Sequence, residues 1–137
     1  MKDLEWDERL SVGFPDLDEE HRRLLRLCAS VVRASSTGAS EAQLRHVVTQ
    51  LRTYVKEHFQ REEELLHRYR YPRLNEHITE HMKLTQHVKE LYFSGHKHEP
   101  IDPGVLKALL RDWVVEHIIR HDLSYAKYFK DHPPGKP

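Results

Sequence analysis

The segment His58-Phe-Gln-Arg-Glu62 places a histidine and a glutamate four residues apart in a stretch with helical periodicity. Four residues are about one helical turn, so both side chains leave the helix on one face, roughly 6 Å apart. Apolar residues around this pair recur at steps of three and four, from Leu44 to Tyr69. The spacing predicts a long amphipathic helix whose buried face carries both polar groups.

Three further segments place histidines, with carboxylates, on the apolar stripe of a predicted helix: Asp18-Glu-Glu-His21, His77-Ile-Thr-Glu-His81 and His117-Ile-Ile-Arg-His-Asp122. Each segment belongs to a different stripe, and signals for β-strands are nearly absent. Four such stripes with mostly short connections predict an all-α protein, an antiparallel up-down-up-down four-helix bundle with an irregular N-terminal arm.

The 137 residues are expected to form one domain. We predict its arm and four helices at residues 1–15, 16–35, 41–70, 73–93 and 103–129. Capping boxes are predicted at the start of the first two helices, with Asp16 and Glu19 in the first and Ser40 and Gln43 in the second. Asp102 is predicted to cap the fourth helix.

The composition excludes several classes of partner. Acidic and basic residues balance at 22 each, so no net charge directs the chain to nucleic acid or to an anionic membrane. No apolar run approaches the roughly 18 residues of a membrane span, and the N-terminus lacks an apolar signal-peptide core. The single cysteine, Cys28, cannot form an internal disulfide, which is typical of a reducing compartment. We therefore expect a cytoplasmic protein.

The fourth stripe changes register after His117. Regular steps lead next to His121, whereas a slip of one residue leads to Asp122, Tyr125 and Phe129, which is a better inward set. In a regular helix Asp122 would lie about 140° from His117, and a one-residue π-bulge would bring it back to the buried face. We favour Asp122 on a locally distorted helix, and the alternative is that the helix ends near residue 121.

Seven ionisable side chains are thus predicted to face the centre of one bundle: His21, His58, Glu62, His77, His81, His117 and Asp122. A single buried histidine is usually a hydrogen-bonded core residue, but seven buried polar groups are very costly if unpaired. Imidazole and carboxylate suit borderline metals, and seven ligands exceed the four of a tetrahedral zinc site. The set suits two metal ions, with two bridging carboxylates and five terminal imidazoles.

Two rival motifs explain less of the sequence. The segment from His77 to His81 also matches the H-x-x-E-H pattern of one class of zinc peptidases, with Glu80 as the base. That interpretation leaves the other four ligand-type residues without a role. A ferritin-like di-iron site needs two Glu-x-x-His pairs, and only Glu64 with His67 has this spacing, on the face opposite His58.

The chain resembles the hemerythrin family, most closely its single-domain bacteriohemerythrins. Nearly the whole chain takes part in the resemblance. The elements that carry it are Trp6 and Gly13, Asp18-x-x-His21, His58-Phe-x-x-Glu62-Glu63, Tyr71-Pro72, His77-x-x-x-His81 and Trp113-x-x-x-His117-Ile-x-x-x-Asp122-x-x-Tyr125.

The resemblance implies two non-haem iron ions joined by a bridging oxo or hydroxo group. One iron is expected to be bound by His77, His81 and His117, and the other by His21 and His58. Glu62 and Asp122 are expected to bridge them, and O2 to bind at the open position of the two-histidine iron. The apolar O2 pocket of the family corresponds here to Leu24, Phe59, Trp113, Val114 and Ile118.

The resemblance also implies a binding protein and not an enzyme, with no catalytic residue. Reversible O2 binding would serve storage, delivery or buffering of oxygen, and nitric oxide, azide and other small anions are further candidate ligands. One alternative is a domain that senses O2, nitric oxide or redox state through a protein partner, and another is a di-iron enzyme that reduces peroxide or nitric oxide.

Three glutamates near these ligands are expected to take no part in the site. Glu20 stands where the family often has glutamine, and we expect it to face outward. Glu63 and Glu64 follow Glu62 directly, and their positions are expected to point away from the buried stripe.

Overall fold

The computed structural model describes residues 5–38, 40–96 and 102–134, and these residues form an all-α four-helix bundle. Within these ranges there is no β-strand, and no helix is long and apolar enough to cross a membrane. The helices are α1 (Pro15–Ser36), α2 (Glu41–Arg68), α3 (Leu74–His96), α4 (Pro103–Arg111) and α5 (Leu123–Asp131), with a π-helical segment (Asp112–Asp122) that joins α4 to α5. The predicted fold class is therefore confirmed.

The start of α1 differs from the prediction. The helix begins at Pro15, and its N-cap residue Phe14 makes no side-chain capping bond, so the capping box predicted at Asp16 is wrong. Proline suits this first position because it has no backbone N–H to leave unpaired. Asp18 instead accepts hydrogen bonds from Ser11 Oγ at 2.6 Å and from Val12 N at 2.8 Å, which fixes the N-terminal arm against α1.

The other two predicted caps are confirmed. Gln43 N donates to Ser40 Oγ at 3.2 Å while Ser40 N donates to Gln43 Oε1 at 2.8 Å, which completes the capping box of α2. Asp102 Oδ1 accepts from Gly104 N at 2.7 Å at the start of α4. Each cap satisfies backbone donors that the first helical turn leaves without partners.

The helices pack as a closed ring around one axis. α2 contacts both α1 and α3, α1 also contacts α4, and α3 contacts the π segment. Each helix thus turns one face to the centre of the bundle, where side chains from all four sides meet. That arrangement follows from the steps of three and four in the apolar stripes.

Two apolar clusters fill the bundle, one on each side of the histidine cluster. On α1, Leu17 belongs to the smaller apolar cluster, while Leu24 and Leu25 belong to the larger one, and His21 lies between them in the chain. On α2 the larger cluster extends to Phe59 and the smaller one contains Leu66. The ligand-type side chains therefore lie at a fixed level of the bundle, between the two apolar clusters.

Truncation of a core leucine should lower the free energy of unfolding. Leu51 has no exposed surface and belongs to the larger apolar cluster. Leu51→Ala is expected to cost about 2–5 kcal/mol, because the removed methyl groups leave a cavity. Urea denaturation followed by far-UV circular dichroism measures the change. The matched control, Met82→Ala at a side chain that is 67% exposed, should shift the unfolding free energy by less than about 0.5 kcal/mol.

Candidate metal centre

The seven ligand-type side chains predicted from the sequence lie together, and all are buried. Their potential ligand atoms form two groups, in each of which all atoms lie within 4.8 Å of one another. The first group contains Glu62, His77, His81, His117 and Asp122, and the second contains His21, His58, Glu62 and Asp122. Glu62 and Asp122 thus belong to both groups, so the arrangement is that of two adjoining sites with shared carboxylates.

The π segment explains how Asp122 reaches the centre. The prediction was a one-residue bulge, whereas the structure has eleven π-helical residues from Asp112 to Asp122. At its end Leu123 N donates to the carbonyl of Ile118, five residues earlier, so residues five apart share a face. His117 and Asp122 are separated by five residues, and both point inward.

The alternative end of the helix near residue 121 is therefore wrong, and so is the regular step that leads to His121. The helix does not end near residue 121, because α5 continues it from Leu123 to Asp131. The His121 side chain is 36% exposed and belongs to neither group of ligand atoms. The Asp122 side chain has no exposed surface.

Glu62 lies between the two groups. Its Oε1 is 2.5 Å from His77 Nε2 and 3.0 Å from His81 Nε2, which belong to the first group. Its Oε2 is 3.5 Å from the Nε2 atoms of both His21 and His58, which belong to the second. Each oxygen of this carboxylate therefore faces one group.

Asp122 is placed in the same way. Its Oδ1 is 2.9 Å from His117 Nε2 and 3.2 Å from His77 Nε2, and its Oδ2 is 3.1 Å from His21 Nε2. Among the described residues neither oxygen has a hydrogen bond of acceptable geometry. Short distances without hydrogen-bond angles are expected where carboxylate and imidazole converge on shared cations, and five imidazoles with two carboxylates are ligands that borderline metals prefer. The residues therefore fit a pair of metal ions.

The electrostatics of the cluster couple the carboxylates to the imidazoles. Burial alone would lower the pKa of His21, but the negative carboxylates of Asp122 and Glu62 beside it raise it to about 10. The same opposition raises the pKa of His77 to about 10 and that of His117 to about 9. Burial would raise the pKa of Glu62, yet its histidine partners hold it well below the usual value. The ionised carboxylates therefore favour the protonated forms of His21, His77 and His117.

Tyr125 completes the inner polar set. Its hydroxyl donates to Glu62 Oε2 at 3.1 Å, and its side chain has no exposed surface. Burial, together with the negative charges of Glu62 and Asp122, raises the pKa of this phenol well above 10. The phenol thus keeps its proton and acts as a fixed donor to Glu62.

Two glutamates that were expected to lie outside the site contact its histidines. Glu20 does not face outward, because its Oε1 is 2.8 Å from His58 Nδ1 and its side chain is only 12% exposed. Glu63 also contacts the site, because its Oε2 is 2.7 Å from His81 Nδ1. Both are off the buried stripe of their own helix, and each reaches the outer nitrogen of a ring on another helix. The position of each glutamate on its own helix therefore gave no signal for these contacts.

The apolar positions predicted to line a ligand pocket belong to the larger apolar cluster. Leu24, Phe59, Trp113 and Ile118 are buried there, while the side chain of Val114 is outside the described part of the structure. The Phe59 ring stacks on His81 with centroids 3.7 Å apart, and its centroid lies 5.8 Å from that of His58. This ring therefore covers ligand-type residues of both groups.

A surface groove of about 1030 Å³ runs between α2 and α3. Its lining includes Phe59, Glu63 and His81, so it extends from solvent to the edge of the first group. The groove marks a side from which the buried cluster is close to solvent.

Most of this sequence is similar to one known protein family. The profile of the family described as "Hemerythrin HHE cation binding domain" matches residues 12–128. A bacteriohemerythrin of Stenotrophomonas maltophilia is 28% identical over 129 residues, which cover 94% of this chain and 83% of the relative. Myohemerythrin-1 of Phascolopsis gouldii is 28% identical over 88% of this chain and 89% of the relative. A bacteriohemerythrin of Campylobacter jejuni is 24% identical over 84% of this chain and 86% of the relative.

Metal binding to the metal-free protein should release protons at pH 7. The folded pKa values of His21, His77 and His117 lie above the ordinary value of 6.5, so these imidazoles are protonated at pH 7 and must lose their protons to bind a metal. The apparent affinity for Zn²⁺ should therefore rise between pH 7 and pH 10. Isothermal titration with Zn²⁺ in two buffers of different ionisation enthalpy gives the number of protons, on the order of three per chain. An affinity that is independent of pH over this range would contradict the prediction.

Proposed function

Because the chain belongs to the hemerythrin family, we propose that it binds O2 reversibly at a non-haem di-iron site, for storage, delivery or buffering of oxygen. The observation that carries the proposal is the pair of shared carboxylates. Glu62 and Asp122 belong to both groups of ligand atoms, and the two oxygens of each lie near histidines of different groups. Such sharing suits two cations at close range.

We assign three histidines to one iron and two to the other. His77, His81 and His117 would complete the ligands of the first iron, and His21 with His58 those of the second, and a solvent-derived oxo or hydroxo group would join the two irons. The second group offers four protein residues where the first offers five. An iron in the second group thus keeps room for a small ligand such as O2, nitric oxide or azide.

An iron pair held by these residues would supply a reversible two-electron exchange with O2. The residues of the chain determine whether this exchange stays reversible. The buried side chains of Leu24, Phe59, Trp113 and Ile118 keep water away from the cluster. Exclusion of water slows the loss of a reactive ligand and the irreversible oxidation that follows.

The same environment favours binding over turnover. An enzyme that reduces peroxide or nitric oxide needs a group that delivers protons near the operating pH. Tyr125 is the hydroxyl that contacts Glu62, and its pKa is raised well above 10 because it is buried beside two carboxylates. Its proton is therefore held and not delivered, which supports a binding protein.

The proposal is tested by one cycle of reduction, exposure to air and removal of O2. Protein loaded with Fe²⁺ and kept without oxygen should be nearly colourless, become coloured in air, and lose the colour again when O2 is removed. Metal analysis of the same sample should give two irons per chain. One-way oxidation without a spectrum that reverts, or consumption of O2 over many turnovers, would contradict reversible binding.

Glu62→Ala should abolish the reversible spectrum and lower the iron content. Both irons would lose a ligand at once in this variant. The remaining imidazoles cannot replace a carboxylate that contacts both irons. Absorption spectra with metal analysis measure the loss. The matched control is Glu64→Ala, an exposed neighbour on the same helix, which should bind two irons and O2 as the parent protein does. Two irons with an unchanged spectrum in Glu62→Ala would refute the bridging role.

A further inference from the structure

Among the described residues, two of the five clustered histidines have a carboxylate on their outer nitrogen. In both rings Nε2 faces the cluster, so Nδ1 carries the hydrogen and donates it outward. His58 Nδ1 donates to Glu20 Oε1 at 2.8 Å, and His81 Nδ1 donates to Glu63 Oε2 at 2.7 Å. The buried Nδ1 atoms of His21 and His117 have no hydrogen-bond partner among the described residues. Each of the two groups thus contains one histidine that is supported by a carboxylate.

The two carboxylates differ in what lies behind them. Arg61 Nε donates to Glu20 Oε2 at 2.5 Å, and the arginine side chain is 51% exposed. Glu20 itself is 12% exposed, so the contacts run in a line from a surface cation through a nearly buried anion to a buried imidazole. Within the described ranges Glu63 has no salt bridge to a lysine or arginine, and it is 29% exposed. An external cation therefore acts on one carboxylate of the pair.

A carboxylate on the outer nitrogen fixes the orientation of an imidazole ligand and raises its basicity. A more basic imidazole stabilises a metal with higher positive charge, and the negative charge of the carboxylate acts in the same direction. A cation bound to that carboxylate draws its charge away and weakens both effects. Glu20 therefore lowers the reduction potential of the metal that His58 binds, and Arg61 raises it.

We propose that Glu20 is a positioning residue that sets the electron affinity of the His58 metal, and that Arg61 adjusts the strength of this effect from the surface. The proposal rests on the proposed di-iron function for the metal that is loaded. It concerns residues of this chain that bind no metal themselves. The oxidised form would thus be stabilised at the half of the site where the small ligand is placed.

The first experiment uses the metal-free protein and Co²⁺, whose absorption bands report the ligand geometry. Glu20→Gln should lower the affinity for Co²⁺ by about 10- to 100-fold, because the orienting carboxylate is lost. The fold should be retained, since the Tyr54 hydroxyl donates to the backbone carbonyl of Glu20, which the substitution leaves in place. Glu20→Asp, which keeps the charge on a shorter side chain, should restore part of the affinity.

The second experiment measures the reduction potential of the iron-loaded protein in a double-mutant cycle. Glu20→Gln should raise the potential and Arg61→Gln should lower it. In the Glu20→Gln background, Arg61→Gln should cause little further change, because the arginine acts through the carboxylate. Glu64→Gln, an exposed charge on α2, the helix that carries His58 and Arg61, is the matched control and should leave both the Co²⁺ affinity and the potential unchanged.

Three results would overturn the inference. The first is unchanged Co²⁺ affinity in Glu20→Gln, and the second is a potential that Arg61→Gln shifts equally with and without the Glu20 carboxylate. The third is a Glu64→Gln shift as large as that of Glu20→Gln, which would indicate a general surface field. Failure of the O2 proposal is separate, because the Co²⁺ measurement needs neither iron nor O2. A chain that binds no O2 but shows the Co²⁺ effect would reject the proposed function and support the inference.

Discussion

The burial of Glu62 and Asp122 is the constraint on which the rest of the bundle depends. Both carboxylates have no exposed surface, and transfer of an unpaired carboxylate into a protein interior costs several kcal/mol. Five imidazoles from all four sides of the bundle offset this cost, so each side must deliver a side chain to the same level. The closed ring of helices and the two flanking apolar clusters are arranged around this requirement. A pair of cations would satisfy the same atoms more fully than protons do.

The π segment is the backbone counterpart of that constraint. Regular α-helix would carry Asp122 away from the face that holds His117, whereas hydrogen bonds from residue i+5 to residue i keep both on one face. α5 then continues with Tyr125 and Phe129 buried in the smaller apolar cluster. The changed register thus places a carboxylate in the site and an aromatic core beneath it. The free-energy cost of this departure from α-helical geometry is offset by the packing of the apolar clusters on both sides of the site.

The sequence could predict the side chains that lie on the buried stripe of their own helix. The steps of three and four predicted the fold class and brought together His21, His58, Glu62, His77 and His81, and the change of register after His117 pointed to Asp122. The caps at Ser40 and Asp102 were also predicted correctly, because a capping bond is local. The cap at Asp16 was wrong, since Asp18 binds the arm and Pro15 already begins the helix.

The sequence by itself determined which ligand-type residues of α1, α2 and α3 face the centre, because regular helical periodicity depends only on spacing along the chain. Tertiary structure alone decided what lies on the outer side of the histidines. Glu20 and Glu63 are off the inward stripe of α1 and α2, yet their carboxylates reach rings that come from a neighbouring helix. Such contacts depend on the distance and rotation between packed helices, and no spacing within one helix contains that information. The length of the π segment belongs to the same class, since no spacing within the fourth stripe gives it. Its Asp122 and His117 contact His21 of α1, Phe59 of α2 and His77 of α3.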